Sequence, residues 1–180
     1  MGMTTFFLLF DEQDEPHVRA LQQHLQPLVR QAMLEVLNVA DIPAGADKDS
    51  ETASYHHKAT HYLLFVSANS LSNEAIYSQV KAAIDQQKAV WLVLVRPCVW
   101  RDALLEQCLV MVNKPITDYA QIDTAYHDNT IAIAQSIDPS YVAISNDKSK
   151  EEDGAQQAPV QQQFAAKIYN IQHIDKADFS

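Results

Sequence analysis

Apolar residues in this chain fall into two patterns. The first is a series of short continuous runs: Thr5-Phe6-Phe7-Leu8-Leu9-Phe10, Leu34-Glu35-Val36-Leu37, His61-Tyr62-Leu63-Leu64-Phe65-Val66-Ser67, Ala89-Val90-Trp91-Leu92-Val93-Leu94-Val95 and Leu109-Val110-Met111-Val112. Each ends in polar residues or Pro, and runs of this length with such boundaries predict buried strands. The second is helical spacing. Val18, Leu21, Leu25 and Leu28 predict an amphipathic helix over residues 17–30, with Pro27 placed to kink or end it. Ala75, Ile76, Val80, Ala83 and Ile84 predict another up to about residue 87, and residues 126–137 a last one. Asp47 is placed to cap a surface-lying helix over residues 48–58. Residues 102–107 predict a short helical turn, residues 69–73 a polar loop, and residues 38–47 a loop shaped by Pro43 and Gly45.

Strands that alternate with helices, and that look apolar on both faces, imply a parallel sheet covered on both sides. The expected fold is therefore α/β: a flavodoxin-like, three-layer domain with a five-stranded parallel sheet, over residues 1–138. Residues 139–163 read as a polar linker. Residues 164–180 read as a short docking or linker segment, in which Ile168, Ile171, Ile174 and Ala177 recur every third residue.

Composition narrows the functional classes. The chain has 180 residues, a net charge of −10, 3 Gly and 2 Cys. That charge excludes a general nucleic-acid binder, which needs clustered Lys and Arg. Gly2, Gly45 and Gly154 are isolated, so neither a dinucleotide fingerprint nor a phosphate loop can be built from them. Cys98 and Cys108 form no disulfide framework and read as small apolar residues. The first apolar run is too short to span a membrane or to be secretory, and Phe6 stands where a myristoylation signal needs Ser or Thr. A cytoplasmic protein is expected, with no membrane partner.

In an open parallel sheet, ligands bind beyond the carboxyl ends of the strands, where the strand order switches. For the flavodoxin-like order this crevice lies between the first and third strands. A phosphorylation receiver would use it with an acceptor Asp at the end of the third strand. Asp11, Asp14 and Lys114-Pro115 suit that reading, but Ser67 occupies the acceptor position and excludes it.

From Phe6 to Ile137 the chain resembles the TIR (Toll/interleukin-1 receptor) domain family in its bacterial form. The most specific stretch is Asp41-Ile42-Pro43-Ala44-Gly45-Ala46-Asp47, similar to the family's BB loop. Leu63-Leu64-Phe65-Val66-Ser67 resembles its third strand and following serine, and Val80-Lys81-Ala82-Ala83-Ile84 the helix behind its active site. Val93-Leu94-Val95-Arg96-Pro97-Cys98-Val99-Trp100 resembles its fourth strand and turn, and Asn113-Lys114-Pro115-Ile116-Thr117 the segment after strand five.

The resemblance implies assembly through TIR–TIR contacts and, in catalytic members, cleavage of nicotinamide from NAD+. It implies a catalytic Glu in the helix after the third strand. Here that stretch reads Asn73-Glu74-Ala75-Ile76-Tyr77-Ser78-Gln79, with Gln79 at the Glu position. Cleaving an N-glycosidic bond builds positive charge on the ribose, which a carboxylate can stabilise. Gln keeps the shape but has no charge and is no base. Glu74 lies five residues earlier, on a different helical face. Further departures are Ala75-Ile76 for an aromatic-Cys pair, Phe10-Asp11 for serines, Leu37 for a Trp and Lys48 for an aromatic. The resemblance places Phe10, Asp11, Asn38, Ser67 and Ala75 around the ligand. It places Asp41, Ile42, Pro43 and Gly45 at an interface, where an exposed Ile42 would serve contact better than water.

Other constellations read as structural. His57 and His61 are four apart, but a strand beginning near His61 breaks the geometry a metal pair needs, so no metal site is expected. Ser67, His61 and Asp11 lack the glycine turn of a nucleophile elbow. Trp91 reads as core, while Trp100, after a turn, suits either packing or a surface anchor.

Two functional readings follow. One is a TIR signalling and assembly module of a bacterial defence or signalling system, which self-associates as a homo-oligomer or recruits partners into a larger complex. The other is an NAD+ hydrolase activated by assembly. NAD+ is a substrate or ligand in these readings, and no cofactor is expected.

Overall fold

The computed structural model describes residues 2–142. The segment 164–180 and all of the expected linker beyond residue 142 lie outside the described residues. Five strands, β1 (Thr4–Leu9), β2 (Leu34–Leu37), β3 (His61–Val66), β4 (Ala89–Leu94) and β5 (Leu109–Val110), form one sheet in the order β2-β1-β3-β4-β5. Every neighbouring pair is parallel. This is the flavodoxin-like order read from the sequence.

The three central strands are buried at every residue but the first. Alternate side chains leave opposite faces of a strand, so each apolar run feeds two cores. Phe6, Leu8, Leu63, Phe65, Trp91 and Val93 pack on one face with α1 (Glu15–Arg30) and α5 (Ile122–Ile137). Phe7, Leu9, Leu64, Val66, Leu92 and Leu94 pack on the other with Ile76, Val80 and Ala83 of α4 (Glu74–Asp85). Trp91 is core, with its ring centroid 5.1 Å from that of Phe6. Trp100 packs partly buried against the second core with Arg101 over its ring.

Between β2 and β3 runs α2 (Lys48–Lys58), which begins where Asp47 predicts: the Asp47 carboxylate accepts from the amides of Asp49 and Ser50 at 3.2 and 3.4 Å. No residue of α2 is buried, as its modest apolar content implies. Pro27 does not end α1. It lies on the exposed face, and the helix continues to Arg30 before Ala32 turns out with φ 54°.

Three elements differ from the pattern reading. The expected polar loop at 69–73 is a short helix, α3 (Ala68–Ser72), held by a reciprocal cap between Ser67 and Ser70. Such a cap is made by polar side chains and leaves no apolar rhythm. The helix α5 starts at Ile122 rather than at 126: its first turn exposes Ile122, Asp123 and Thr124 and buries only Ala125, too little to extend the apolar rhythm. Strand β5 stops at Val110; Met111 adds one more bond to Leu92, and the chain then leaves the edge. A very short edge strand offers little to a foreign strand.

Candidate functional site

The turn after β1 forms one wall of the site. Phe10 is half-buried, and Asp11 then caps a 3-10 turn, Glu12–Asp14, by accepting from the Gln13 amide at 3.1 Å. Asp14 is fully buried. It accepts a hydrogen bond from the Ser67 hydroxyl and faces Arg96 Nε at 3.3 Å. Because β1, β3 and β4 are neighbours, the residues just past their carboxyl ends converge, and this node ties the three ends together.

The second wall is α4. Asn73 caps it, its side-chain oxygen accepting from the Ala75 and Ile76 amides at 3.1 and 3.4 Å. The Asn73 amide group also reaches Asp11 Oδ2 at 3.5 Å. Ile76 and Gln79, three apart, lie on one helical face and both line the crevice. The third wall is the start of α2, with Lys48, Asp49 and Thr52.

These walls enclose about 670 Å³. An adjoining hollow of about 750 Å³ shares Phe10, Glu12, Gln13, Lys48, Ile76 and Gln79 and adds Asp11, Asn73 and Ala75. Such volumes suit a small-molecule ligand. Of the residues expected around a ligand, Phe10, Asp11, Ala75 and Gln79 are thus brought together. Asn38 and Ser67 do not line either hollow. Asn38 is buried, accepts from the Ala40 amide at 2.9 Å and donates to Gln22. Ser67 is buried and spends its hydroxyl on Asp14 and the α3 cap. Glu74, exposed at the first position of α4, lines neither hollow.

The loop at 41–47 flanks the crevice without lining it; Ala40 before it and Lys48 after it do. Asp41 accepts hydrogen bonds from Arg19 and Gln22 of α1. Burial pushes the Asp41 carboxyl up, but these hydrogen bonds and the Arg19 charge outweigh it and hold it below the usual carboxylate range. Gly45 takes φ +96°, a left-handed conformation suited to glycine. Pro43, Ala44 and Gly45 are exposed, whereas Ile42, read from the sequence as exposed, is half-buried because the Val39–Asp41 turn folds it back.

The remaining candidates are apart from the crevice. His61 opens β3 and Ser67 follows its last residue, about 20 Å away at the rise of a strand. His61 contacts Thr60 at 2.9 Å and stacks edge-on with Trp91. His57 is exposed in the last turn of α2. Cys98 and Cys108 are half-buried against the second core. Burial, with some help from Asp102, pushes the Cys108 thiol up to about 11, so it is no ready nucleophile.

The sequence reading missed two features. The Asp14–Ser67–Arg96 node was visible only as three polar residues after three apolar runs. The acids lining the crevice, Glu12 and Asp49, sit on a turn and a helix start, where pattern gives no side-chain direction.

Fold and site define a doubly wound α/β domain with a ligand-sized crevice at its switch in strand order. No family model matches the chain, and no curated protein matches it. Among solved structures it is similar to the TIR domain of the Toll-related receptor TRR-2 from Hydra magnipapillata, at 12% identity and a TM-score of 0.47. The match covers 72% of this chain and 97% of that one, and the likeness is one of fold.

Proposed function

We propose that this domain is a TIR module of a bacterial defence or signalling system, one that works by self-association or partner recruitment and cleaves NAD+ weakly or not at all. The observation that carries this reading is Gln79. It lines the crevice at the position where the sequence resemblance calls for a catalytic Glu, and an amide there can orient a ligand but cannot stabilise a developing ribosyl cation by charge. The exposed Pro43-Ala44-Gly45 tip supports a contact role for the 41–47 loop. Among the described residues no helix is long and apolar enough to cross a membrane, and a cytoplasmic setting is part of the proposal.

The second reading, an NAD+ hydrolase activated by assembly, is favoured by one observation: Asp11, Glu12 and Asp49 give the crevice carboxylates of its own. Measuring sedimentation and NAD+ consumption on the same samples, across protein concentration, separates the two. The proposal expects association without turnover well above a blank. Turnover that rises with association overturns it in favour of the hydrolase.

A further inference from the structure

Helix α2 carries one wall of the crevice on a one-sided attachment. Lys48, Asp49 and Thr52 at its start line the hollow, yet every residue from Pro43 to Glu51 is exposed. Gly45, with φ +96°, lies in the loop that leads into this end. The other end is pinned to β1. The Thr60 amide donates to the Thr5 carbonyl at 3.0 Å, and the Thr5 amide donates to the Thr60 hydroxyl at 2.9 Å. Just before this pivot, the His56 ring holds the helix to the sheet. Its centroid is 4.4 Å from that of Phe7 and 5.8 Å from that of Tyr62, and Nδ1 meets the Tyr62 hydroxyl at 2.9 Å. Tyr55 adds an edge-on contact with Phe7 at 6.5 Å.

This contact requires a neutral imidazole. Tyr62 is buried, and burial raises its pKa above the ordinary 10.0, so its hydroxyl stays a donor. It donates to a bare ring nitrogen; a proton on that nitrogen sets two donors face to face. Among the described residues the Tyr62 hydroxyl has no other hydrogen-bond partner to turn to. The charges around the ring are of one sign. Lys88, on the turn before β4, donates to the His56 carbonyl and sits 5.6 Å from the centroid of the Tyr62 ring. On α2 itself His57 and Lys58 follow directly, and the positions three and four away are Thr52, Ala53, Ala59 and Thr60. β1 contributes Phe7 and β3 contributes Tyr62. Among the described residues no carboxylate pairs with His56 within 4.0 Å. A charged ring finds no counter-charge here.

We propose that His56 is an acid-released latch: when its ring takes up a proton, α2 swings off the sheet about Ala59–Thr60, and the crevice loses the wall that carries Lys48, Asp49 and Thr52. Once α2 is released, the ring meets water and its ordinary pKa of 6.5 applies. With α2 closed, burial holds that pKa lower, and Lys88 adds to the effect. Protons therefore bind the open form preferentially, and opening grows as pH falls below about 6.5. The latch acts on the wall itself, so it operates whatever ligand the crevice takes.

Hydrogen exchange of the full chain tests this, read by mass spectrometry at pH 7.5 and pH 5.5 and corrected for the intrinsic exchange rate at each. Wild-type α2 should exchange faster than α4 at both, and up to about tenfold faster at pH 5.5 than at pH 7.5, the ratio that an open-state pKa of 6.5 allows. His56→Asn keeps an acceptor near the Nδ1 position but takes no proton, and should abolish the pH dependence. Lys88→Ala, a second variant that leaves the ring in place, should narrow it by removing the neighbouring cation. Corrected exchange of wild-type α2 that is equal at both pH values overturns the latch. So does an undiminished acceleration in His56→Asn, which assigns the proton to another group. Exchange of α2 no faster than that of α4 also overturns it, because the helix then leaves only when the whole domain unfolds.

Discussion

Asp14 is fully buried and both of its carboxylate oxygens are engaged, one by the Ser67 hydroxyl and one by Arg96. Its neighbours on the turn, Asp11 and Glu12, face the crevice, so the node fixes the wall on which they stand. Removing a partner from a buried charge costs more than removing one from the surface. Arg96→Ala should destabilise the domain by about 2–4 kcal/mol, less than a fully enclosed pair because Arg96 is half-exposed. Arg19→Ala, which breaks the exposed pair with Asp41, should cost under about 1 kcal/mol. Urea unfolding of both variants checks the order; equal losses would deny the node its role. At this scale the sequence was legible in part. Phe10 and Asp11 reach the crevice because they follow the end of β1, and Ala75 and Gln79 because they lie in the first two turns of the helix that faces it. Asn38 and Ser67 occupy equally suitable positions, yet their side chains turn inward to cap. Position along the chain does not determine that choice; competition for unsatisfied amides does.

Helix α2 is the weakest wall. None of its residues is buried, and its attachment is concentrated in the last turn. There the His56 ring lies 4.4 Å from Phe7 and meets the Tyr62 hydroxyl at 2.9 Å, while Lys88 donates to the His56 carbonyl. Lys88→Ala should therefore speed hydrogen exchange in α2 while leaving α4, anchored by Ile76, Val80 and Ala83, unchanged. A uniform change across both helices would contradict this. Acid should act in the same direction. Burial lowers the His56 pKa from its ordinary value of 6.5, with Lys88 adding to the effect. Burial also lowers His17 and His61. A group whose folded pKa lies below the unfolded one takes up protons preferentially on unfolding. Stability is thus lost as pH falls below about 6.5 and until the folded values are passed. The melting temperature at pH 5 should lie below that at pH 7; a flat profile would contradict it. Elements built on apolar rhythm were legible in the sequence, and α2 was legible through its Asp47 cap. The short helix α3 and the first turn of α5 were not, because a hydroxyl cap, and a turn that buries only Ala125, leave too little rhythm to read.

The strand order follows from three apolar runs that each need cover on both faces, and from connections long enough to cross over. That much of the molecule was readable before any coordinates. How the crevice is lined was not, since it depends on where three separate turns meet. On the surface, the 41–47 loop presents Pro43, Ala44 and Gly45 to solvent beside a half-buried Ile42. If this loop is the assembly contact, Pro43→Ala combined with Gly45→Val should lower self-association without changing the far-ultraviolet circular dichroism. Gly45→Val strains a left-handed position, but a Cβ there meets no atom within 4 Å, so the strain is one of the loop backbone rather than of packing. Sedimentation velocity gives the result; unchanged association would move the contact elsewhere.

The central claim concerns one side chain in that crevice, and nicotinamide release from NAD+ by the wild type and by Gln79→Glu tests it most directly. The account predicts little or no release above a blank for the wild type. It predicts a gain of at least about a hundredfold once a carboxylate is present, the usual lower size of acid–base or charge assistance. Turnover by the wild type that is lost in Gln79→Ala would contradict it.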